Sequence, residues 1–281
     1  MNYRGEITNK IIEAFEAGVT PWQCPFEASS FPINYKTKQE YHGINTLCLW
    51  LTAYMKGYTS NYWLGFAQTK SLKAHIRKGE KATSVAVCMM KKDEESDGEK
   101  AITPVFKTES VFNLDQIEGL EFNTENQSIT SFEGIETLLN SVSPIIRHKG
   151  ERAYFSLSAD FINMPLKSKF KDNEGYYSTL FHELIHWTGY KSRLNRIDKP
   201  DTVLDEKQKN RAFEELVAEI GASFLCAEFG IKPNINNTSS YVASWLKELK
   251  NNKNYIFKAC KSANSAIAYL KSLVSNPKTQ T

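Results

Sequence analysis

The pentapeptide His182-Glu183-Leu184-Ile185-His186 has the residue types and spacing of a metal-assisted hydrolysis. Residues four apart on an α-helix differ by about 40° around its axis, so both imidazoles leave one face. Two neutral imidazoles one turn apart can clamp a zinc ion. Glu183 then lies beside the metal, where it can take a proton from a water. The apolar neighbours Leu180, Phe181 and Trp187 place the motif in a packed helix and not on a solvated face. That helix reads over residues 176–187, with Gly189 positioned to end it.

A catalytic zinc takes three protein ligands and keeps a position open for water. Downstream, Phe213-Glu214-Glu215-Leu216-Val217-Ala218-Glu219-Ile220-Gly221 lies inside a helical pattern over about residues 206–229. Glu215 and Glu219 are four apart, on a face flanked by Leu216, Ile220 and Ala222. Carboxylates on the inward side of a buried helix are costly unless positive charge meets them. Glu215 is therefore the expected third ligand, and Glu219 the expected acceptor for the non-metal nitrogen of His182, fixing its tautomer. Glu214 has Ala218 as its i+4 partner and lacks a second carboxylate on its face. The alternative is that Glu214, Glu215 and Glu219 pair with Arg211 or with lysines on a wet face. Tyr241, Tyr190 and His148 are the candidate donors to a developing oxyanion.

Those helices need a frame. At 281 residues the chain is long enough for two domains. Its 41% hydrophobic and 24% charged residues are those of an ordinary globular protein and exclude a disordered or fibrous chain. Cys24, Cys48, Cys88, Cys226 and Cys260 are odd in number and never form a Cys-x-x-Cys pair. They read as small buried hydrophobes of a reducing compartment, not as a disulfide frame or a second zinc site. The stretch Met1 to Glu13 lacks an apolar signal core, and no apolar run is long enough to span a bilayer. The expected location is cytoplasmic, with no membrane partner.

Charge is unevenly spread. Residues 1–90 carry ten Lys/Arg against six Asp/Glu, residues 91–130 carry four against ten, and the remainder regains a surplus of five. The acidic stretch 91–100 reads as a solvated hairpin tip, and the polar stretch 119–130 as a linker. The expected domains are residues 1–125 and 131–281. In the first, helices are expected over 3–17, 44–56 and 65–75, and strands over 83–90 and 102–112, giving an α+β module. From Trp22 to Phe66 there are eleven aromatics, about twice the chain average of 12%. The stretch Lys70 to Lys81 then holds five Lys/Arg against one Glu. Stacking platforms beside a basic groove suit single-stranded nucleic acid; the bland alternative is that the aromatics fill a core.

Several strings occur in a telling order. The first half holds Pro21-Trp22, Asn34-Tyr35-Lys36-Thr37-Lys38, Tyr41-His42-Gly43-Ile44-Asn45, Tyr62-Trp63-Leu64, Arg77-Lys78-Gly79-Glu80-Lys81 and Val111-Phe112-Asn113-Leu114-Asp115-Gln116. The second holds Ala153-Tyr154, Asp160, Met164-Pro165, His182 to Gly189, Ser192-Arg193-Leu194 and Phe213 to Gly221. Over nearly its whole length the chain resembles the plasmid-encoded ArdC antirestriction proteins and their relatives in phages and mobile elements. The resemblance implies an N-terminal single-stranded-DNA-binding domain and a mainly helical, zincin-like metallopeptidase domain with a small sheet. It also implies a role in shielding incoming DNA from restriction. Carried over by motif, His182, His186 and Glu215 hold Zn2+ and Glu183 is the catalytic base. Gln23, Cys24 and His42 stand where the family pattern has basic residues, and Phe26 where it has Trp. The residues expected to touch DNA are Trp22, Lys36, Lys38, Tyr41, Asn45, Trp63, Arg77, Lys78 and Lys81, with Trp22, Tyr41 and Trp63 stacking on bases.

Three functions fit these residues. One is an antirestriction protein that binds single strands and carries a zinc peptidase fold. Another is a regulatory protease whose partner is a host restriction or regulatory protein. A third is a binding protein with an idle zinc site, against which Glu183 argues, since a structural site does not need it.

Overall fold

The computed structural model describes residues 3–22, 30–94, 100–120, 131–197, 204–233 and 241–275. The first half runs α1 (Tyr3–Glu16), β1 (Ile33–Asn34), α2 (Ile44–Lys56), β2 (Tyr62–Gly65), α3 (Phe66–Ser71), β3 (His75–Ile76), β4 (Thr83–Glu94), β5 (Lys100–Asn113) and β6 (Ile117–Glu118). The second runs α4 (Phe132–Val142), β7 (Ile146–His148), β8 (Tyr154–Ser156), β9 (Phe161–Met164), α5 (Asn173–Thr188), α6 (Leu204–Phe229), α7 (Val242–Asn251) and α8 (Tyr255–Ser275). This is an α+β chain of two domains, with a four-stranded sheet β1-β2-β5-β4 and the pair β3-β6 in the first and a small sheet β7-β9-β8 in the second.

The sequence signals act where physics puts them. Gly57 closes α2 at φ 67, in the left-handed region where a Cβ is costly. The β4–β5 ladder runs in register from Thr83↔Val111 to Glu94↔Lys100, longer than the strands expected. The expected helix over 65–75 is shorter: α3 stops at Ser71, and Lys73 at φ 59 turns the chain into β3. Residues 95–99 of the expected acidic tip, and 121–130 of the expected linker, lie outside the described residues.

The two domains are joined over shared apolar packing. Ile7, Ile11 and Phe15 of α1, with Trp22, Phe31 and Trp50, belong to the same hydrophobic cluster as Leu184, Leu216, Phe224 and Trp245 of the second half. Trp22 sits edge-on to both Phe15 and Trp245, at 5.4 Å each. Trp50 and Phe31 meet Phe224 at 5.9 Å. Helix α2 makes this possible because it is apolar on two sides. Leu47, Trp50 and Leu51 face the shared cluster, whereas Leu49 and Ala53 pack with Trp63, Val85 and Val111 beneath the first sheet.

Helices α5 and α6 lie against each other through a close backbone approach. A Cβ built on Gly221 would meet Ile185 Cγ1 and Cδ1 at 2.8 Å. Glycine inside a helix costs roughly 1 kcal/mol relative to alanine, so propensity alone argues against it here. Gly221→Ala is therefore expected to lose stability, by roughly 1–3 kcal/mol of overpacking against that propensity gain. Urea unfolding measures this, and a stabilised variant would refute the packing account.

Candidate metal centre

Helix α5 is placed firmly at both ends. Asp172 caps its start by accepting from the Gly175 N–H at 2.8 Å. Its last turn is wrapped by residues 189–197. The Arg193 Nε donates to the Trp187 carbonyl at 2.5 Å, and the guanidinium lies 3.9 Å from the Trp187 ring while pairing with Asp160. Arg196 Nη2 donates to the Ile185 carbonyl at 2.8 Å. Both cations sit at the negative end of the helix, where they stabilise it. Gly189 follows the helix at φ −77, so its value is not a left-handed turn. A Cβ there would meet Ile197 Cγ1 at 2.7 Å.

Between these ends, the inward face of α5 buries Tyr176, Leu180, Phe181, Leu184 and Ile185, leaving His182 and His186 facing a cleft. The cleft has a volume of about 1650 Å³ and is lined by residues of β8, α5, α6 and α8. His182 Nε2 lies 3.2 Å from His186 Nε2 and 3.4 Å from Glu215 Oε2, and His186 Nε2 is 3.8 Å from that same oxygen. Donors bound at roughly 2.0–2.1 Å around a tetrahedral cation stand roughly 3.3–3.4 Å apart. The three atoms thus outline one face of such a polyhedron, and among the described residues His182, His186 and Glu215 form the one cluster of three donors able to hold a metal ion. The donor set fits a divalent cation. Glu183 lines the same cleft with 8% of its surface exposed.

Around these donors stands a ring of supports. His186 Nδ1 is 3.3 Å from Glu214 Oε1. Glu214 is in turn held by Arg196, at 2.8 Å from Nε and 2.7 Å from Nη2. The pairing of Glu214 with Arg211 or a lysine on a wet face, left open by the sequence, is thereby corrected. Arg196 takes it because the wrap after α5 brings a guanidinium over the helix end. Glu214 has no role at this centre by local pattern alone, and the only signal for Arg196 is its place shortly after the helix. Glu219 faces the other histidine, with Oε1 3.7 Å from His182 Nδ1, while its Oε2 accepts from the indole N–H of Trp22 at 3.3 Å.

The electrostatics follow from burial and these contacts. Burial opposes a charge on His186, but the carboxylates of Glu214 and Glu215 outweigh it and push its pKa up to about 10. Against the same burial, Arg196 and His186 hold the Glu214 carboxyl below its usual range. The imidazoles of His182 and His186 likewise hold Glu215 well below it. Glu219 is raised, because burial dominates. The cage favours positive charge at its centre.

Of the three candidate oxyanion donors, the structure brings one to the cleft. The Tyr241 hydroxyl donates to Glu215 Oε1 at 3.4 Å. His148 instead stacks on Tyr176 and shares a 2.9 Å hydrogen bond with its hydroxyl, away from the cleft. Tyr190 packs edge-on against Phe155 and under Arg193.

The expected DNA contacts divide by burial. Trp22 and Trp63 are both 0% exposed and have no free face for a base, which corrects the stacking role expected of them. Composition could not separate a stacking tryptophan from a core one. Asn45 is half-buried: its Nδ2 donates to the Ala86 carbonyl and its Oδ1 accepts from the Ala86 N–H, each at 2.8 Å, so it pins α2 to β4. Tyr41 is half-buried, with its hydroxyl accepting from Asn34 at 3.2 Å. Lys36, Lys38, Arg77, Lys78 and Lys81 are exposed. Lys36 Nζ donates to Ser71 at 2.7 Å, and Lys38 lies 4.2 Å from the Tyr35 ring. Arg77 donates to the Asp115 carbonyl and lies 3.3 Å from Glu80. His42 is exposed and edge-on to Phe31; Gln23, Cys24 and Phe26 lie outside the described residues. Among the described aromatics of that run, Phe66 is the most exposed, at 64%, at the start of α3 and on the same short helix as Lys70; Tyr54 on α2 is 46% exposed. Its signal in the sequence was its place directly after a glycine that closes a strand.

Two family models match the chain: the N-terminal domain of anti-restriction factor ArdC over residues 1–112, and a zincin-like metallopeptidase over residues 133–262. Among curated proteins, two TraC DNA primases of Escherichia coli are each 31% identical over 93% and 94% of this chain. The chain spans only 26% and 19% of their length. The uncharacterized protein y4eC of Sinorhizobium fredii is 30% identical over 92% of this chain and 87% of its own. Among solved structures, the antirestriction protein ArdC of plasmid R388 superposes with a TM-score of 0.83 at 38% identity in its metal-free form. Its Mn(II)-bound form gives 0.81 at 36%, and both cover 98% of this chain and 99% of theirs.

Arg196 and Glu214 form a buried pair, so removing one partner strands the other. Arg196→Met is expected to cost about 3–5 kcal/mol in urea unfolding of the metal-free protein, and Arg196→Met with Glu214→Leu to recover most of it. Equal stability of the single variant and the wild type would exclude the clamp.

Proposed function

The chain belongs to the ArdC antirestriction family, and from that premise we propose that it shields incoming DNA by binding single strands on its N-terminal domain, while its C-terminal domain is a zinc peptidase. The observation that carries the peptidase half is the convergence of His182, His186 and Glu215 on one point beside Glu183, at the floor of an open cleft. Two imidazoles and one carboxylate form the donor set of a catalytic zinc, and three protein ligands leave a position for water. Zinc bound there would supply a Lewis acid for the scissile carbonyl.

The chain's own groups account for the rest. The Glu183 carboxylate accepts a proton as water attacks the peptide carbonyl carbon. It returns that proton to the amine nitrogen as the C–N bond breaks. The Tyr241 hydroxyl, which donates to Glu215 Oε1 at 3.4 Å, would turn from that carboxylate to donate to the developing oxyanion. Glu214 and Glu219 face the outer nitrogens of His186 and His182, at 3.3 and 3.7 Å, and so favour the tautomer whose other nitrogen looks to the centre. The cleft volume of about 1650 Å³ suits an extended polypeptide better than a small molecule.

The DNA half rests on the exposed cations Lys36, Lys38, Lys70, Arg77, Lys78 and Lys81, with Phe66 and half-buried Tyr41 as the aromatic partners. Lysines hold phosphates without regard to sequence, and an exposed ring stacks on any base. This reading expects a preference for single over double strands and no sequence code.

Glu183→Gln should keep its metal, measured by elemental analysis, and lose all cleavage of a quenched peptide library that the wild type cuts. A wild type loaded with zinc that cuts nothing removes the peptidase half. Phe66→Ala should weaken binding of a single-stranded oligonucleotide by roughly 1–3 kcal/mol, whereas Trp63→Phe leaves it unchanged. Wild-type affinity should fall steeply between about 50 and about 200 mM salt. Gel-shift titrations read both, and wild-type binding by Phe66→Ala would remove Phe66 from the face.

A further inference from the structure

Trp22 belongs to the N-terminal half of the chain, yet its one polar atom serves the other half. Its ring is fully buried, held between Phe15 and Trp245 at 5.4 Å from each. Its indole N–H donates to Glu219 Oε2 at 3.3 Å. The other oxygen of that carboxylate faces His182 Nδ1 at 3.7 Å, and His182 Nε2 is the atom that meets His186 and Glu215. A carboxylate with one oxygen tied can turn only about that tie. Without it, Glu219 has freedom to swing towards the cleft it lines.

Each of the two histidines therefore has a carboxylate behind it, and each carboxylate has its own anchor. For His186 the anchor is Arg196, from the same domain and next to the metal helix. For His182 it is Trp22, from the segment after α1. Outer partners of metal-bound histidines fix ring orientation and tautomer, and their removal lowers metal affinity by roughly 10–100-fold.

We propose that Trp22 is a positioning residue of the metal centre: its indole N–H fixes Glu219, Glu219 fixes His182, and the N-terminal domain thereby completes the site. The inference rests on the reading of His182, His186 and Glu215 as metal ligands. It also explains why this tryptophan is buried and does not stack on DNA. An indole fits the place because it combines a large apolar body for the shared core with a single donor at its edge.

The test is Zn2+ affinity of the full chain, by competition with a chelator, for wild type, Trp22→Phe, Glu219→Gln, the double variant and Trp245→Phe. Phenylalanine keeps the ring contacts of Trp22 and removes only the N–H. Trp22→Phe is expected to bind zinc about tenfold more weakly, and the double variant no more weakly than Glu219→Gln alone. Trp245→Phe is the packing control: its N–H donates to the Ala212 carbonyl at 2.7 Å and not to a metal ligand or a ligand's partner, and phenylalanine keeps its ring contacts with Trp22 and Tyr241. It should leave zinc affinity unchanged. Co2+-loaded protein supplies a second readout, with visible bands shifted in Trp22→Phe and unshifted in Trp245→Phe. Wild-type affinity in Trp22→Phe, additive losses in the double variant, or an equal loss in Trp245→Phe overturns the proposal. A wild type that binds neither ion overturns the ligand assignment itself.

Discussion

Three buried or half-buried carboxylates on one helix are the constraint from which the rest of the second domain follows. Helix α6 presents Glu214, Glu215 and Glu219 towards α5, in a region otherwise filled by Leu216, Val217, Ala218 and Ile220. Negative charge there is tolerable only if each carboxylate is met by a donor or a cation. Glu214 meets a guanidinium, Glu215 meets two imidazoles and a tyrosine hydroxyl, and Glu219 meets an indole N–H and the far side of an imidazole. The glycine at 221 lets α6 come close enough for these pairings, since any side chain there would strike Ile185.

The same constraint explains what the sequence could and could not say. The pentapeptide, the helix around it and the carboxylates four residues apart are local patterns, and periodicity puts each set on one face of its own helix. The fold class and the ends of α1 and α2 were legible for the same reason, because caps and glycine turns act within a few residues. Glu214 escapes a pairwise i+4 argument, which looks only along its own helix. Its partner Arg196 arrives from a wrap after α5 that no local rule specifies. Trp22 and Trp63 are illegible for a different reason: a run of aromatics has the same composition whether it fills a core or lines a groove. Burial decides between them, and burial is a property of the whole fold. Phe66, by contrast, was lost among the other aromatics of the run.

The joining of the two domains rests on helix α2 and the segment around Trp22. An ordinary surface helix hides one stripe, but α2 buries Leu47 and Trp50 on one side and Leu49 and Ala53 on another. It is therefore a wall common to the sheet of the first domain and the helices of the second. Two domains linked only by a flexible segment would share a small, polar contact. Here Trp22, Phe31 and Trp50 reach into packing that includes Phe224 and Trp245, so the N-terminal domain is part of the environment in which α6 sits.

The three carboxylates can be ranked by the charge each is offered. Glu214 and Glu215 are both held below the usual carboxylate range, by a guanidinium and by two imidazoles respectively. Glu219 is shifted the other way, because burial outweighs the opposing pull of His182 and of the Trp22 N–H. The first two therefore supply fixed negative charge to His186, whose pKa rises to about 10 in the metal-free protein. A metal ion held by that cage would have to displace that proton, which would couple its binding to the deprotonation of His186. Glu219 contributes less to the field and more to geometry: a neutral donor such as an indole N–H suits it because it orients a carboxylate without cancelling its charge. Charge is thus concentrated on the side of His186 and orientation on the side of His182, and the two histidines of one helix turn are held by different physical means.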